Sequence, residues 1–219
     1  RGEIASYYGM ISEVDFQIGR ILQALRESGR AGNTIIVFAG DNGLAVGRHG
    51  LLGKQNLYDH SVRVPLVLSG PGISPGTRSG AYCYLLDVFP TLCDMAGLEA
   101  PASVSGRSIL PAIRGEEAGR PCLFTAYADL QRAVRRDEFK LIIYNVEGRI
   151  TEQLFNIRED PWELENLAGQ AEWREKAFEL RELLRKEMAE QGDFCDLDRE
   201  NWGRGPQRMS WTDLKALNP

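Results

Sequence analysis

The sequence has few cysteines, no long hydrophobic run and no excess of positive charge. Its four cysteines lack Cys-x-x-Cys spacing, which argues against a zinc site or a redox pair. No apolar stretch approaches the roughly 20 residues that span a bilayer, and the net charge of −5 offers no basic patch to a nucleic acid. We therefore expect no membrane segment and no nucleic-acid partner.

The composition is that of a folded protein, with 43% hydrophobic and 26% charged residues. A chain of this length suits one large domain or two small ones. After Pro111 the composition shifts from apolar to charged, at Arg114-Gly115-Glu116-Glu117. We place a domain boundary there, which divides the chain into residues 1–115 and 116–219.

The most informative stretch runs from Thr34 to Gly72. It opens with Ile35–Ala39, an apolar and β-branched run that predicts a strand buried on both faces in an α/β sheet. Asp41 and Asn42 follow this strand almost at once. Because ligand sites in open α/β sheets gather at the carboxyl ends of the strands, these two side chains are candidates for a functional site.

Four side chains in this stretch have chemistry that suits one site. Asp41 offers a carboxylate and Asn42 an amide carbonyl, and such hard oxygens suit Ca²⁺ or Mg²⁺. His49 can exchange a proton with a leaving group, and Lys54 is a compact cation for an anionic substrate. Two oxygens do not complete a calcium site, so further ligands must come from elsewhere. The alternative is that Asp41-Asn42-Gly43 is only a turn, since these residue types are common turn formers.

The order of short motifs along the stretch favours the functional interpretation. Asp41-Asn42-Gly43 is followed by Gly47-Arg48-His49-Gly50, Gly53-Lys54, Tyr58-Asp59, Ser61-Val62-Arg63-Val64-Pro65-Leu66 and Gly70-Pro71-Gly72. This series resembles the second half of the sulfatase family, within the alkaline phosphatase superfamily. The fold that the resemblance implies is the carboxy-terminal part of an alkaline-phosphatase-like α/β sheet domain. A small α+β domain with an antiparallel sheet and a packing helix is expected to follow it.

The resemblance implies a role for each of the four side chains. In the family, the residues that match Asp41 and Asn42 bind the active-site divalent cation, usually Ca²⁺ rather than Mg²⁺. The residue that matches Lys54 contacts the sulfate that is cleaved. The residue that matches His49 lies on the same loop, where it contacts the substrate or transfers a proton, depending on the member.

The nucleophile of the sulfatases is missing from the chain. Sulfatases attack with a formylglycine made from the first residue of a Cys/Ser-x-Pro-x-Arg motif, and no cysteine or serine of this sequence begins that motif. The sequence also begins at Arg1 rather than at a methionine. We therefore expect the carboxy-terminal portion of a longer enzyme, inactive by itself. The formylglycine is expected in the part upstream, and the compartment is left undetermined.

The function expected of the whole enzyme is hydrolysis of a sulfate ester, such as a sulfated carbohydrate or an aryl sulfate. Two alternatives stay open. The first is hydrolysis of a phosphodiester or phosphonate on the same framework, and the second is a non-catalytic scaffold module. Self-association of the chain is a further expectation, because a sheet that lacks strands exposes apolar edges.

The remaining segments predict the elements around the site. Residues 3–28 carry apolar side chains at three- and four-residue intervals, which predicts a helix packed on the sheet. After residue 120, short strand candidates about ten residues apart indicate an antiparallel meander. A last helix is predicted over Ala171–Gln191, covering the meander with Trp173, Phe178, Leu180, Leu183, Leu184 and Met188.

Three further residues have structural interpretations. Asp87 precedes the apolar run Val88-Phe89-Pro90 and is expected to cap a helix rather than to act as a catalytic acid. Trp202 and Trp211 lie in the tail, where aromatic rings can stack on sugars. We expect instead that they tie the tail to the domain.

Overall fold

The computed structural model describes residues 2–200 and Trp202. This part of the chain forms two compact units. The first contains the residues up to Lys54 together with His60–Pro121, and the second contains Gln55–Asp59 together with the residues that follow Pro121. The boundary after residue 115 stays a prediction from the sequence. Trp211, which we expected to tie down the tail, lies outside the described residues.

The first part of the chain alternates helices with two short strands. In order, the elements are α1 (Gly2–Glu27), β1 (Ile36–Ala39), α2 (Asp59–Val62), β2 (Leu66–Ser69), α3 (Val88–Met95) and α4 (Leu110–Arg114). β1 and β2 pair antiparallel, so that Ile36 lies opposite Ser69 and Ala39 opposite Leu66. The functional candidates lie in the connection between these two strands.

Helix α1 forms where the apolar periodicity predicts it, but it does not bury its apolar side chains. None of its residues is buried, and the exposed large apolar ones are Ile4, Tyr8, Met10, Ile11, Val14, Phe16 and Ile21. The expected packing on the sheet is therefore wrong for the described chain. The helix is about 39 Å long and each strand only about 13 Å, so this sheet is too small to cover it. Neither α1 nor any other described helix is long and apolar enough to cross a membrane.

Strand β1 is also more open than its composition predicts. Ile36 and Val37 are half-buried, whereas Phe38 and Ala39 are exposed. The expectation that both faces are buried is wrong here. Within the described residues the sheet has two strands, β1 and β2, so each of its faces has few neighbours.

Asp87 is a structural residue at the start of α3, as expected, but its side chain makes no capping hydrogen bond to that helix and instead caps the preceding 3-10 turn, Leu85–Asp87. Its fully buried carboxylate accepts hydrogen bonds from the Tyr84 N–H at 2.8 Å and the Arg107 N–H at 2.9 Å, and from Arg120 Nε at 3.1 Å. Burial alone raises the pKa of this carboxyl, but Arg120 and the two N–H donors outweigh it and hold the pKa below its usual value. Asp87 therefore joins three segments of the first unit through one charged group.

The second unit is built on a four-stranded antiparallel sheet. Its strands are β3 (Leu123–Tyr127), β4 (Gln131–Arg136), β5 (Phe139–Val146) and β6 (Arg149–Asn156). They lie side by side in sequence order, which confirms the expected meander. After a single 3-10 turn over Ala171–Trp173, helix α5 (Arg174–Glu190) packs against the sheet.

Apolar side chains cover both faces of this sheet. The buried cluster on the side of α5 includes Val134, Leu141, Ile143, Leu154, Leu180, Leu184 and Met188. The cluster on the opposite side contains Leu57, Tyr58, Ala133, Ile142, Phe155 and Ile157. Because successive residues of a strand face opposite sides, covering both faces explains the unbroken apolar run at the middle of β5.

The face that α5 turns to the sheet is narrower than expected. Leu180, Leu184 and Met188 recur every four residues and are buried. Phe178 is 65% exposed, because a residue two positions from Leu180 lies on the far side of the helix. The prediction that Phe178 covers the sheet is wrong.

Trp202 confirms the structural role that we expected for it. Its side chain is buried within the cluster on the α5 side of the sheet. The guanidinium carbon of Arg132 lies 5.2 Å from its ring centroid, a cation–π arrangement. Trp202 therefore holds this end of the described chain on the second unit.

Candidate functional site

Asp41 and Asn42 lie where β1 ends. The Gly40 N–H donates to the Pro65 carbonyl oxygen at 3.2 Å, which extends the pairing of β1 with β2 by one hydrogen bond. Asp41 is exposed and Asn42 is half-buried. The Asn42 N–H donates to Asp41 Oδ1 at 2.9 Å, as in a tight turn. Both oxygen-bearing side chains therefore lie at the carboxyl end of the strand, and their role as metal ligands stays a prediction.

Gly43 fixes the loop that carries these two residues. Its N–H donates to the Ser61 carbonyl oxygen at 2.9 Å. A Cβ atom built on Gly43 would lie 1.9 Å from the His60 carbonyl oxygen, so a larger residue cannot fit unless the backbone moves. The loop after β1 is thus held directly against the segment His60-Ser61.

Lys54 follows a loop that closes on itself. The Ala45 N–H donates to the Gly53 carbonyl oxygen at 3.1 Å, and the Gly47 N–H donates to the Leu51 carbonyl oxygen at 2.8 Å. Ala45 is buried. These two bonds return the chain to its starting point, so that the exposed Lys54 comes one residue after an anchored carbonyl group.

His49 lies at the tip of the same loop, in a left-handed backbone conformation with φ of 53°. Its imidazole ring lies 5.6 Å from that of His60, centroid to centroid, with 32° between the ring planes. These are the two histidines of the chain. Sequence reasoning singled out His49 and did not single out His60, although His60 lies between the Tyr58-Asp59 and Ser61–Leu66 motifs that carry the family resemblance.

The donor set at the end of β1 fits a hard divalent cation but does not complete its coordination. Asp41 and Asn42 supply oxygen donors, which Ca²⁺ prefers, and Ca²⁺ takes about six to eight of them. Within residues 2–200, no group of three or more histidine, cysteine, aspartate or glutamate side chains is arranged to hold a metal ion. The rest of the coordination shell would therefore come from backbone carbonyl or amide oxygens, from water, from the substrate or from residues outside the described ones.

Comparisons with known proteins identify the family of the chain. The family model described as Sulfatase matches residues 1–98. Arylsulfatase K of Xenopus laevis is 31% identical over 195 residues, which is 83% of this chain and 36% of the relative.

Two solved structures extend the likeness to the fold. One is a protein in complex with its substrate, D-glucosamine-2-N,6-O-disulfate, with a TM-score of 0.77 and 30% identity over 86% of this chain and 40% of that one. The other is the phosphonate monoester hydrolase of Agrobacterium radiobacter, with a TM-score of 0.74 and 30% identity over 84% of this chain and 40% of that one. The chain thus spans about two fifths of the length of the proteins it matches, and the predicted α/β fold is confirmed. On its motifs, its family match and its fold, the chain belongs to the sulfatase family.

Proposed function

We propose that this chain supplies two cation ligands and the sulfate-binding lysine of a sulfuric ester hydrolase, whose formylglycine nucleophile lies outside the 219 residues. The observation that carries the proposal is the order of the four candidate side chains on one loop system. Two backbone hydrogen bonds hold this loop system, one from Gly43 to Ser61 and one from Ala45 to Gly53. A turn with no function has no need of a carboxylate, an amide, an imidazole and an ammonium group in the family's order.

Each of the four side chains has a chemical task in such a reaction. Asp41 and Asn42 present oxygens to Ca²⁺, with Mg²⁺ less expected, and the cation when bound supplies positive charge beside the sulfate. Lys54 places an ammonium against a sulfate oxygen, where it offsets the charge that develops on the group being transferred. His49 holds the substrate by a hydrogen bond or gives a proton to the leaving oxygen.

The substrate class that we propose is a sulfated carbohydrate or an aryl sulfate. The solved neighbour that binds D-glucosamine-2-N,6-O-disulfate supports a sulfated sugar. The name of the Xenopus laevis relative supports aryl sulfates as assay substrates. Both classes present the same sulfate group to Lys54.

A second candidate is hydrolysis of a phosphonate or phosphodiester. The Agrobacterium radiobacter phosphonate monoester hydrolase favours it, because its fold and identity to this chain are close to those of the sulfate-binding neighbour. A cation and a lysine attract phosphorus-centred and sulfur-centred anions alike. The four candidate side chains of this chain therefore do not separate the two activities, and a direct comparison of substrates must do so.

The test compares these substrates in the full-length protein. Release of the aryl group is measured from an aryl sulfate, an aryl phosphonate and an aryl phosphodiester, with Ca²⁺ present and with Ca²⁺ chelated. Lys54→Ala and Asp41→Ala are each expected to lower kcat for the sulfate ester about 100- to 1,000-fold, the range seen when one group that stabilises the transition state is removed. Chelation is expected to have a similar effect on the unaltered protein.

Matched control variants are available in this chain. Asp15 is exposed on α1, and the Lys186 side chain is 69% exposed on α5. Asp15→Ala and Lys186→Ala remove the same charges without touching the site, and both should keep the parent rate. The proposal fails if the parent hydrolyses none of the three esters, or if Lys54→Ala and Asp41→Ala match the controls. Preference for the phosphorus esters would select the second candidate.

A further inference from the structure

The segment Gln55–Asp59, which directly follows Lys54, is held by one carboxamide. Gln131, the first residue of β4, is 7% exposed. Its Oε1 accepts a hydrogen bond from the Leu57 N–H at 3.1 Å, and its Nε2 donates to the Gln55 carbonyl oxygen at 3.2 Å. One side chain therefore pairs with a carbonyl and an N–H two residues apart, as a neighbouring β-strand would.

A buried charge cluster holds the other end of the same segment. Glu163 Oε2 accepts a hydrogen bond from the Asp59 N–H at 2.6 Å. Lys140 Nζ bridges Glu163 Oε1 at 2.7 Å and Asp59 Oδ1 at 2.8 Å, and Arg135 Nη1 lies 2.8 Å from Asp59 Oδ2. The backbone of Gln55–Asp59 is thus fixed at its beginning, middle and end.

These contacts specify the position of the Gln55–Asp59 backbone more than they add to the stability of the fold. Leu57 and Tyr58 already pack into the apolar cluster of Ala133, Ile142 and Phe155. Buried polar and charged groups add little net stability beyond such packing, because their desolvation offsets most of their attraction. Their hydrogen-bond geometry does select one arrangement of the backbone, since any other leaves buried groups unpaired.

Lys54 lies between two backbone groups that are fixed. On one side, the Gly53 carbonyl oxygen accepts the hydrogen bond of Ala45. On the other side, the Gln55 carbonyl oxygen accepts that of Gln131. We propose that Gln131 is a positioning residue for Lys54, which directs the ammonium group to the sulfate by fixing the backbone one residue further on. This inference rests on the proposed role of Lys54 in sulfate-ester hydrolysis.

The test is a double-mutant cycle in the full-length protein. Gln131→Met keeps the volume of the side chain and removes both hydrogen bonds, and Gln131→Asn shortens the same amide as a second variant. Each is made in the parent and in Lys54→Ala, and kcat and KM are measured with an aryl sulfate. We expect kcat/KM to fall about 10- to 100-fold in the parent, the scale of a misplacement of about 1 Å. In Lys54→Ala the fall should be within about twofold, because no ammonium is left to misplace.

Asn166 provides the matched control. Its Oδ1 accepts hydrogen bonds from the N–H groups of Leu154 and Ala168, and its Nδ2 donates to the Glu152 carbonyl oxygen. Asn166→Ala therefore removes a carboxamide that bridges backbone groups in the same unit, away from Gln55–Asp59. Its kcat/KM should stay within about twofold of the parent.

Hydrogen exchange gives a readout that does not depend on catalysis. The amide of Leu57 should exchange at least tenfold faster in Gln131→Met, and at the parent rate in Asn166→Ala. The proposal is overturned if Gln131→Met lowers kcat/KM equally with and without Lys54, if Asn166→Ala lowers it as much, or if Leu57 exchange is unchanged. Failure of the proposed function would be recognised by a different result. Lys54→Ala alone would then leave sulfate hydrolysis at the parent rate, and the positioning role of Gln131 would be rejected as well.

Discussion

The Lys140 ammonium lies 2.7 Å from Glu163 Oε1, and both side chains are almost completely buried, 3% and 2% exposed. Lys140 also lies 2.8 Å from Asp59 Oδ1, so one cation serves two carboxylates. Burial raises the pKa of Glu163 above its usual value, although Lys140 acts in the opposite direction. The buried Glu163 carboxylate thus depends on Lys140 for its compensating charge.

Removal of the Lys140 ammonium should therefore destabilise the folded protein more than the net contribution of its ion pairs to stability suggests. Lys140→Met is expected to lower the free energy of unfolding by about 3 to 5 kcal/mol, because it leaves the buried Glu163 carboxylate without its cation, whereas Asp59 keeps Arg135. Adding Glu163→Gln should recover part of that loss, since it removes the uncompensated charge. Urea denaturation measures both variants. The matched control is Lys176→Met, whose pair with Glu179 is exposed and whose loss should cost less than about 1 kcal/mol. A loss in Lys140→Met no larger than in this control would contradict the prediction.

Asp87 should make the first unit sensitive to acid. Its pKa is held below the ordinary value of an aspartate carboxyl, so the unfolded chain takes up a proton at a higher pH than the folded chain does. The stabilisation by Asp87 is therefore complete above about pH 4 and is lost as pH falls through the folded pKa. Asp87→Asn should lose about 1.5 to 3 kcal/mol at pH 7, the range for hydrogen bonds to a charged group, and should show a flatter decline below pH 4. Thermal unfolding of the parent and of Asp87→Asn is measured at pH values from about 2.5 to 7, which lie on both sides of the ordinary pKa of aspartate. If Asp87 had no such role, the unfolding midpoints of the two proteins would change with pH in parallel.

Two apolar residues of α5 offer a direct test of which face packs on the sheet. Leu184 is fully buried, whereas Phe178 is 65% exposed. Leu184→Ala is expected to lower the free energy of unfolding by about 2 to 5 kcal/mol, through lost burial and the cavity left behind. Phe178→Ala, which removes a larger side chain, should change it by about 0.5 kcal/mol or less. Urea denaturation of both variants compares the values, and a larger loss in Phe178→Ala would reverse the assignment of the two faces.

Binding of Ca²⁺ should be visible in the stability of the full-length protein without any substrate. A ligand that binds only the folded state stabilises it by about 2.7 kcal/mol when present at 100 times its dissociation constant. Thermal unfolding with increasing Ca²⁺ should therefore show a rising midpoint in the parent and in the control Asp15→Ala. Asp41→Ala and Asn42→Ala should each need more Ca²⁺ for the same rise. An identical calcium response in all four proteins would exclude these two residues as ligands.

The sequence correctly predicted the structural features that depend on the local pattern of residues. It gave wrong predictions for features that depend on residues distant in the chain. The strands of the meander and helix α5 follow from spacing of apolar residues, and Asp87 follows from capping chemistry. The burial of β1 could not be predicted, because a β-branched run does not reveal how many strands lie beside it. Phe178 was misassigned, because a helix with apolar residues on more than one side does not show which side meets the sheet.

The same distinction between local and distant signals applies to the residues of the candidate site. Asp41, Asn42, His49 and Lys54 were found because they lie in one stretch with family motifs. Gln131 gave no local signal, since a glutamine at the start of a strand is ordinary. Its partner Leu57 is 74 residues away in sequence, and only the three-dimensional pairing identifies the contact.

These long separations also set the order in which the protein can be completed during synthesis. The contacts of the Gln55–Asp59 segment with Gln131, Lys140 and Glu163 span 74, 81 and 104 residues. At about 5 to 20 residues per second, the ribosome needs roughly 5 to 20 s after Asp59 to deliver Glu163. Until Gln131 is made, the segment after Lys54 has none of these anchors, and the set is complete only once Glu163 is made. Residues translated later therefore finish the ordering of a loop made much earlier.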